Sequence, residues 1–324
     1  MRLDAIRHAC LLGLLLLAPS AAVAVASAAP ATTQPATQPA AVPAAPRPFR
    51  VATDYPTIQA AIDSLPDTGG TVYVPEGRYV LDKALDFTRR NYHVLLRDEE
   101  KKAGIRPRTN QYVHLMGAGN GTILEGRMKE GPVIDMTDSS FCSISQLRVE
   151  SRTAQCGILL ARPHPKNRKG TLLSCGWHTF YSVNVGGSYS VAAVYNQASE
   201  VDRWYGCQFS NTHPDAHVFV FAYGNFAGIV SPYAGELCEL GSNADQRLHG
   251  CLITHHCGAP ADKDNPKGAT IYVQGWAEDF TLADCDFGVG ANVKAAIWLD
   301  GERNPCKGMH LTDNRIENRA RHLL

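Results

Sequence analysis

Apolar positions in the second half of the chain recur on one stencil: an apolar residue, two turn residues, an apolar residue or its substitute, any residue, and an apolar residue. It fits six times, at Ile144-Ser-Gln-Leu147-Arg-Val149, Phe180-Tyr-Ser-Val183-Asn-Val185, Trp204-Tyr-Gly-Cys207-Gln-Phe209, Leu248-His-Gly-Cys251-Leu-Ile253, Leu282-Ala-Asp-Cys285-Asp-Phe287 and Leu311-Thr-Asp-Asn314-Arg-Ile316. The first residues lie 36, 24, 44, 34 and 29 apart. One repeat unit with connections of variable length is the mark of a solenoid.

A further strand follows five of the six copies, at Gly157–Leu160, Val191–Val194, Val218–Phe221, Thr270–Val273 and Ala296–Leu299. Each coil then holds a strand, a two-residue corner, a second strand, a loop and a third strand. The second corner residue is Gln146, Ser182, Gly206, Gly250, Asp284 or Asp313. Gly and Asp tolerate a left-handed backbone, which suits a sharp bend inside a coil. Parallel strands stacked about 4.8 Å apart would build three long sheets around an apolar interior.

Ahead of the repeats, Met1 to Ala29 has Arg2 and Arg7, the run Leu11–Leu17 and small residues with Ala-x-Ala sites, and reads as a cleaved secretory signal. No Cys stands at the cleavage point. Residues 30–49, rich in Ala, Pro, Thr and Gln, read as a linker. Residues 50–324 form one folded domain. Its start, Thr57 before Ile58, Ala61, Ile62 and Leu65, predicts a short capped helix, a plug for the open end of the first coil.

The stretch Thr57-Ile-Gln-Ala-Ala-Ile-Asp63, followed by Gly69-Gly-Thr-Val-Tyr-Val-Pro-Glu-Gly-Arg-Tyr79, resembles the N-terminal signature of the pectate-lyase-like superfamily of right-handed parallel β-helices. Val113-His-Leu-Met-Gly-Ala-Gly-Asn-Gly-Thr-Ile-Leu124 is similar to that group's next coil. The group includes polysaccharide lyases, polygalacturonase-like hydrolases and phage tailspikes. The resemblance implies an all-β, right-handed parallel β-helix, a three-sheet solenoid with a short N-terminal capping helix, and a polysaccharide as partner. No catalytic residue carries over. The chain has Asn243-Ala-Asp245 and Arg127-Met-Lys129 in the wrong order for the hydrolases and lacks Asp-Asp and Gly-His-Gly. Trp298-Leu-Asp300-Gly301 lacks the His of the extracellular lyases' Trp-Ile-Asp-His.

Charge adds little, since 31 basic and 31 acidic side chains cancel. Neither a nucleic-acid nor a membrane role has an electrostatic basis once the signal is removed. Cys207, Cys251 and Cys285 share one stencil position and read as stacked buried thiols rather than bridges. No metal site is expected, because His255-His256 beside Cys251 and Cys257 matches no zinc spacing.

Candidate chemistry comes from the third strands. Placing Val218, Val220, Ile271, Val273, Ile297 and Leu299 inward turns Phe219, Phe221, Tyr272, Gln274 and Trp298 outward. Such an aromatic and polar strip suits the apolar faces of pyranose rings. The competing reading has the long connections, including Ala222 to Gln246, fold over the strip as a second core layer. Ionisable groups bordering it are Asp215, His217, Asp300, Glu302 and Arg303. A hydrolase would use Asp215 and Asp300 as its two carboxylates. A lyase would use His217 with Arg303, or with a bound calcium. Two classes stay open: a secreted enzyme cleaving or modifying an acidic glycan, as lyase or glycoside hydrolase, and a non-catalytic glycan-binding or structural surface β-helix. An uncapped last coil near Arg319–Leu324 would offer an oligomer contact.

Overall fold

The computed structural model describes residues 48–66, 68–88, 112–164, 175–241, 243–264, 266–275, 277–301 and 306–320. The expected signal and nearly all of the expected linker lie outside these residues, as do Glu302 and Arg303.

Thr57 accepts a hydrogen bond on its side-chain oxygen from the Ala60 amide at 3.0 Å and starts the helix Ile58–Asp63, which buries Ile58, Ala61 and Ile62. Strands then follow in coils. A leading limb stacks Phe49–Val51, Gly70–Val74, Val113–Gly117, Ser143–Ser151, Thr179–Gly187, Arg203–Tyr205, Arg247–His249, Thr281–Ala283 and His310–Thr312 in that order. A trailing limb runs from Gly77–Leu81 and Thr122–Gly126 through the second halves of Ser143–Ser151 and Thr179–Gly187. It continues through Gln208–Ser210, Leu252–His255, Asp286–Val289 and Arg315–Asn318. A seven-stranded sheet orders Leu85–Asp86, Pro132–Asp135, Cys156–Ala161, Ala192–Gln197, His217–Ala222, Ala269–Gln274 and Ala295–Asp300. Every pairing within these stacks is parallel and joins successive coils.

The two limbs belong to one fifteen-stranded sheet rather than to two. Strands Ser143–Ser151 and Thr179–Gly187 run through the corner, and their pairing skips Gln146 and Ser182 and resumes directly on the other side. The corner residues are those the stencil predicts: φ is 54° at Gln146, 51° at Ser182, 57° at Gly206, 62° at Gly250, 53° at Asp284 and 53° at Asp313.

Stencil positions one, four and six face inward. Ile144, Phe180, Trp204, Leu248 and Leu282 form one buried row, and Val149, Val185, Phe209, Ile253 and Phe287 another. In the row between them, the Cys207, Cys251 and Cys285 thiols donate to the Phe180, Trp204 and Leu248 carbonyls, each one coil back, at 3.6, 3.5 and 3.5 Å. Asn314 continues that row by accepting from the Cys285 amide and donating to the Leu282 carbonyl, both at 2.9 Å. The expected column of interior thiols is thus in place, each satisfied by backbone.

Candidate functional site

On the seven-stranded sheet, register decides which side chains reach the outside. Phe219 pairs with Ile271 and Phe221 with Val273, and Ile271 and Val273 pair onward with Ile297 and Leu299. Phe219 and Phe221 therefore point inward, against expectation, and are fully buried. Phe219 packs edge-on to Trp204 and Phe209, each at 5.2 Å, and Phe221 packs edge-on to Phe280 at 4.6 Å. Four consecutive apolar residues, Val218 to Phe221, present no polar side to fix their alternation, and the wide interior beside Trp204 takes the rings.

Tyr272 and Trp298 face outward, as expected, but the strip is roofed. Residues 223–241 cross it as a strap bringing Phe226, Ile229 and Leu237 onto Tyr195, Val220 and Tyr272 in a second apolar cluster. The Ser231 hydroxyl donates to the buried Asp135 carboxylate and the Tyr233 hydroxyl to the Ala84 carbonyl, which latches the strap to the early coils. Burial pushes Asp135 up to about 6. At the other end Gln274 Oε1 accepts from the Gly224 amide at 3.2 Å. The reading of a loop-covered second layer holds over most of the strip.

Among the described residues, the two expected carboxylates Asp215 and Asp300 do not converge. His217 is buried, stacks on Tyr272 at 4.7 Å and accepts from the Ala269 amide on Nδ1 at 3.0 Å. Burial lowers it to about 3, which keeps this packed imidazole neutral. Asp300 accepts from the Tyr272 hydroxyl at 2.7 Å, and Asp215 accepts from the Ala261 amide at 3.2 Å. Asp300 aligns through Gln274 with Ala222, whereas Asp215 precedes His217 at the opposite end of that strand. About 16 Å of strand lies between those ends, beyond the roughly 5 to 9.5 Å of a glycosidase pair. Trp298 is half-buried, with Lys294 Nζ 3.3 Å from its ring centroid.

An open groove lies elsewhere, on the outer face of the trailing limb, with a volume of about 720 Å³. Two outward rows build it by register. One runs through Arg148, Asn184 and Gln208; the other through Glu125, Glu150, Gly186, Ser210 and Thr254. Glu125 and Glu150 are direct partners on adjacent coils, about 4.8 Å of strand spacing apart. Arg78 Nη1 spans them, 2.7 Å from Glu125 and 3.3 Å from Glu150. Arg127 lies 3.3 Å from Glu125, and Arg148 pairs with Glu150. Arg78, then Arg127, holds the Glu125 carboxyl below the usual carboxylate range.

Beyond this cluster the floor drops to backbone at Gly186, where a Cβ would lie 2.8 Å from Ser210 Oγ. Asn184 donates to Gln208 at 3.1 Å beside it. The result is an open channel of guanidinium, amide and hydroxyl donors over a bare floor. Among the described residues, no three His, Cys, Asp or Glu side chains converge as a metal site.

Sequence alone does not mark these residues as a groove. The signal was the fifth stencil position, treated there as free to vary: it holds Arg148, Asn184, Gln208, Leu252, Asp286 and Arg315, polar in all but one coil.

The fold is a parallel β-helix. No family model matches the chain, and no curated protein matches it in sequence. Among solved structures it is similar to the pectin methylesterase of Aspergillus niger, with 11% identity over 84% of this chain and 88% of that one at a TM-score of 0.43. An A-module of a mannuronan C-5 epimerase from Azotobacter vinelandii matches with 13% identity over 86% and 99%, at 0.29. A Geobacillus virus E2 protein, ORF18, matches with 14% identity over 83% of this chain at 0.35, and this chain spans 60% of its length. The parallel β-helix that the sequence resemblance implies is observed, established by the parallel pairing of the chain's own strands, whereas two of the three expected sheets are joined into one.

Proposed function

We propose that this protein is a secreted polysaccharide-binding β-helix whose ligand lies along the trailing-limb groove, and that the ligand is an acidic glycan. One observation carries the reading: among the described residues, the groove is lined by Arg78, Arg148 and Arg152 against Glu125 and Glu150, with Arg127 paired to Glu125 at its edge, beside amide and hydroxyl donors and a glycine floor. The surplus guanidinium favours a carboxylate-bearing chain, and Arg matches carboxylate geometry in a bidentate fork. The apolar leader supports export.

The same groove argues for binding over cleavage. A glycosidase needs one carboxyl kept protonated, usually by apolar surroundings, whereas both acids here are paired with arginine. The hydrolytic reading draws on the spacing alone, since adjacent coils bring the two carboxylates close to the roughly 5 to 5.5 Å of a retaining pair.

Incubation with pectic, alginate and other uronate polymers, with and without calcium, separates these readings. The expected result is retention of the protein on at least one uronate polymer without new products. Absorbance from unsaturated ends would make it a lyase, new reducing ends a hydrolase, and failure to bind any such polymer would remove the groove reading.

A further inference from the structure

A second concavity lies on the leading limb, around the corner from the groove, with a volume of about 510 Å³. Its wall is a ladder of rings. Tyr112 lies 5.8 Å from Phe141, and Phe141 stacks on Trp177 at 5.4 Å with planes 13° apart. Its floor is formed by outward residues of the leading limb, including Ser145, Thr179 and Tyr181, and His114 Nε2 lies 2.8 Å from Ser145 Oγ.

The backbone under the ladder is unusual. Strand register aligns Gly69, Tyr112, Phe141, Trp177, Val201, Asp245 and Asp279 in one corner column, and all are left-handed. Gly and Asp accept that conformation cheaply. Three successive coils instead hold bulky aromatics there, with φ of 56°, 58° and 56°. Strain of this kind, about 1 to 3 kcal/mol per residue, gathers where a side chain must be displayed for use. Trp177 is 39% exposed and Tyr181, on the floor, 53% exposed, while Tyr112 and Phe141 are partly buried.

The lining selects the occupant. Among the described residues it contains no Asp, Glu, Lys or Arg, and burial lowers the pKa of His114, which favours its neutral form. Aromatic rings beside hydroxyls, with no charge, match a ligand with apolar C–H faces and many hydroxyl groups. We propose that this trough is a second binding site and takes an uncharged polysaccharide chain, independently of the acidic glycan in the trailing-limb groove.

The test uses the full chain in affinity electrophoresis through gels containing neutral polymers (a mixed-linkage β-glucan, a xyloglucan, a galactomannan) or polygalacturonate. Trp177→Gly and Phe141→Gly both allow the left-handed backbone, so folding is retained, which a thermal melt verifies. We expect retardation by at least one neutral polymer, weakened at least tenfold in either variant, with polygalacturonate behaviour unchanged. No neutral retardation in the unsubstituted protein, or equal retardation in both variants, would overturn the proposal. So would a dimer that Trp177→Gly dissociates, because the trough would then belong to a second copy.

Discussion

Trp204 sits face to face with Phe180 at 3.6 Å between ring centroids and edge-on to Phe209 and Phe219, at 5.4 and 5.2 Å. Four rings from three different stacks meet at this point of the interior. Truncation there removes packing that the rigid coils cannot close, so Trp204→Ala should cost about 3 to 5 kcal/mol in urea denaturation. The indole Nε1 has no hydrogen-bond partner, so Trp204→Phe loses no bond and should cost less than about 1.5 kcal/mol. Equal losses for the two variants would contradict this packing. The thiols give a second check at the same scale. Cys207, Cys251 and Cys285 are buried, whereas Cys257 and Cys306 are partly exposed. Alkylation of the native protein should label Cys257 and Cys306 and spare the column until denaturant is added. Labelling of the column in the folded protein would place it outside the core.

At the scale of elements, the corner is the simplest device in the chain. A left-handed residue is needed once per coil at the end of the leading limb, and Gly206 and Gly250 supply it at φ of 57° and 62°. A Gly250→Val substitution should destabilise by at least about 1 to 2 kcal/mol, whereas Gln146→Gly should be neutral or stabilising. Thermal melts that rank these two variants the other way would contradict the corner geometry. This device was legible in sequence because corner residues are chosen for backbone reasons and do not depend on distant partners. Inward positions were legible wherever polar residues alternate with apolar ones, as in Cys207-Gln-Phe209. Legibility failed at Val218–Phe221, where four apolar residues leave the facing to be settled by Trp204 and Phe209, far away in sequence. It failed again at the trailing-limb groove. Arg78, Glu125 and Glu150 are separated by 47 and 72 residues and become neighbours only through register.

For the whole molecule, acid stability depends on buried titratable groups that work in opposite directions. Burial lowers His178 to about 3, His217 to about 3 and His255 to about 4. Each favours its neutral form in the fold, so its stabilisation is complete above about pH 6.5 and is lost as pH falls toward the folded values. Asp135 and Asp202 are raised by burial to about 6 and favour the protonated form. Their contribution is complete below about pH 3.9 and is lost as pH rises through about 6. Near pH 5 the unfolded chain holds three protons on these imidazoles, and the folded chain holds fewer than two on the two carboxyls. Stability should therefore fall steadily from pH 6.5 downward. Calorimetric melts across pH 3.5 to 8 should show this, and Asp202→Asn should steepen the loss between pH 6 and 4. A melting maximum at pH 4 to 5 would contradict the assignment.

The strap over the seven-stranded sheet and the open trailing limb together put the proposed ligand on a face that the expected aromatic strip does not occupy. That relocation is tested most directly at Gly186, whose φ is compatible with a side chain and whose bare backbone forms the groove floor. The decisive measurement is calorimetric titration of the unsubstituted protein and Gly186→Leu with a uronate oligomer at low salt. Binding at least tenfold weaker in Gly186→Leu, in protein that a melting curve shows to be folded after Ser210 Oγ has given way, is the predicted result. Equal affinity in the two proteins would contradict the placement of the glycan in this groove.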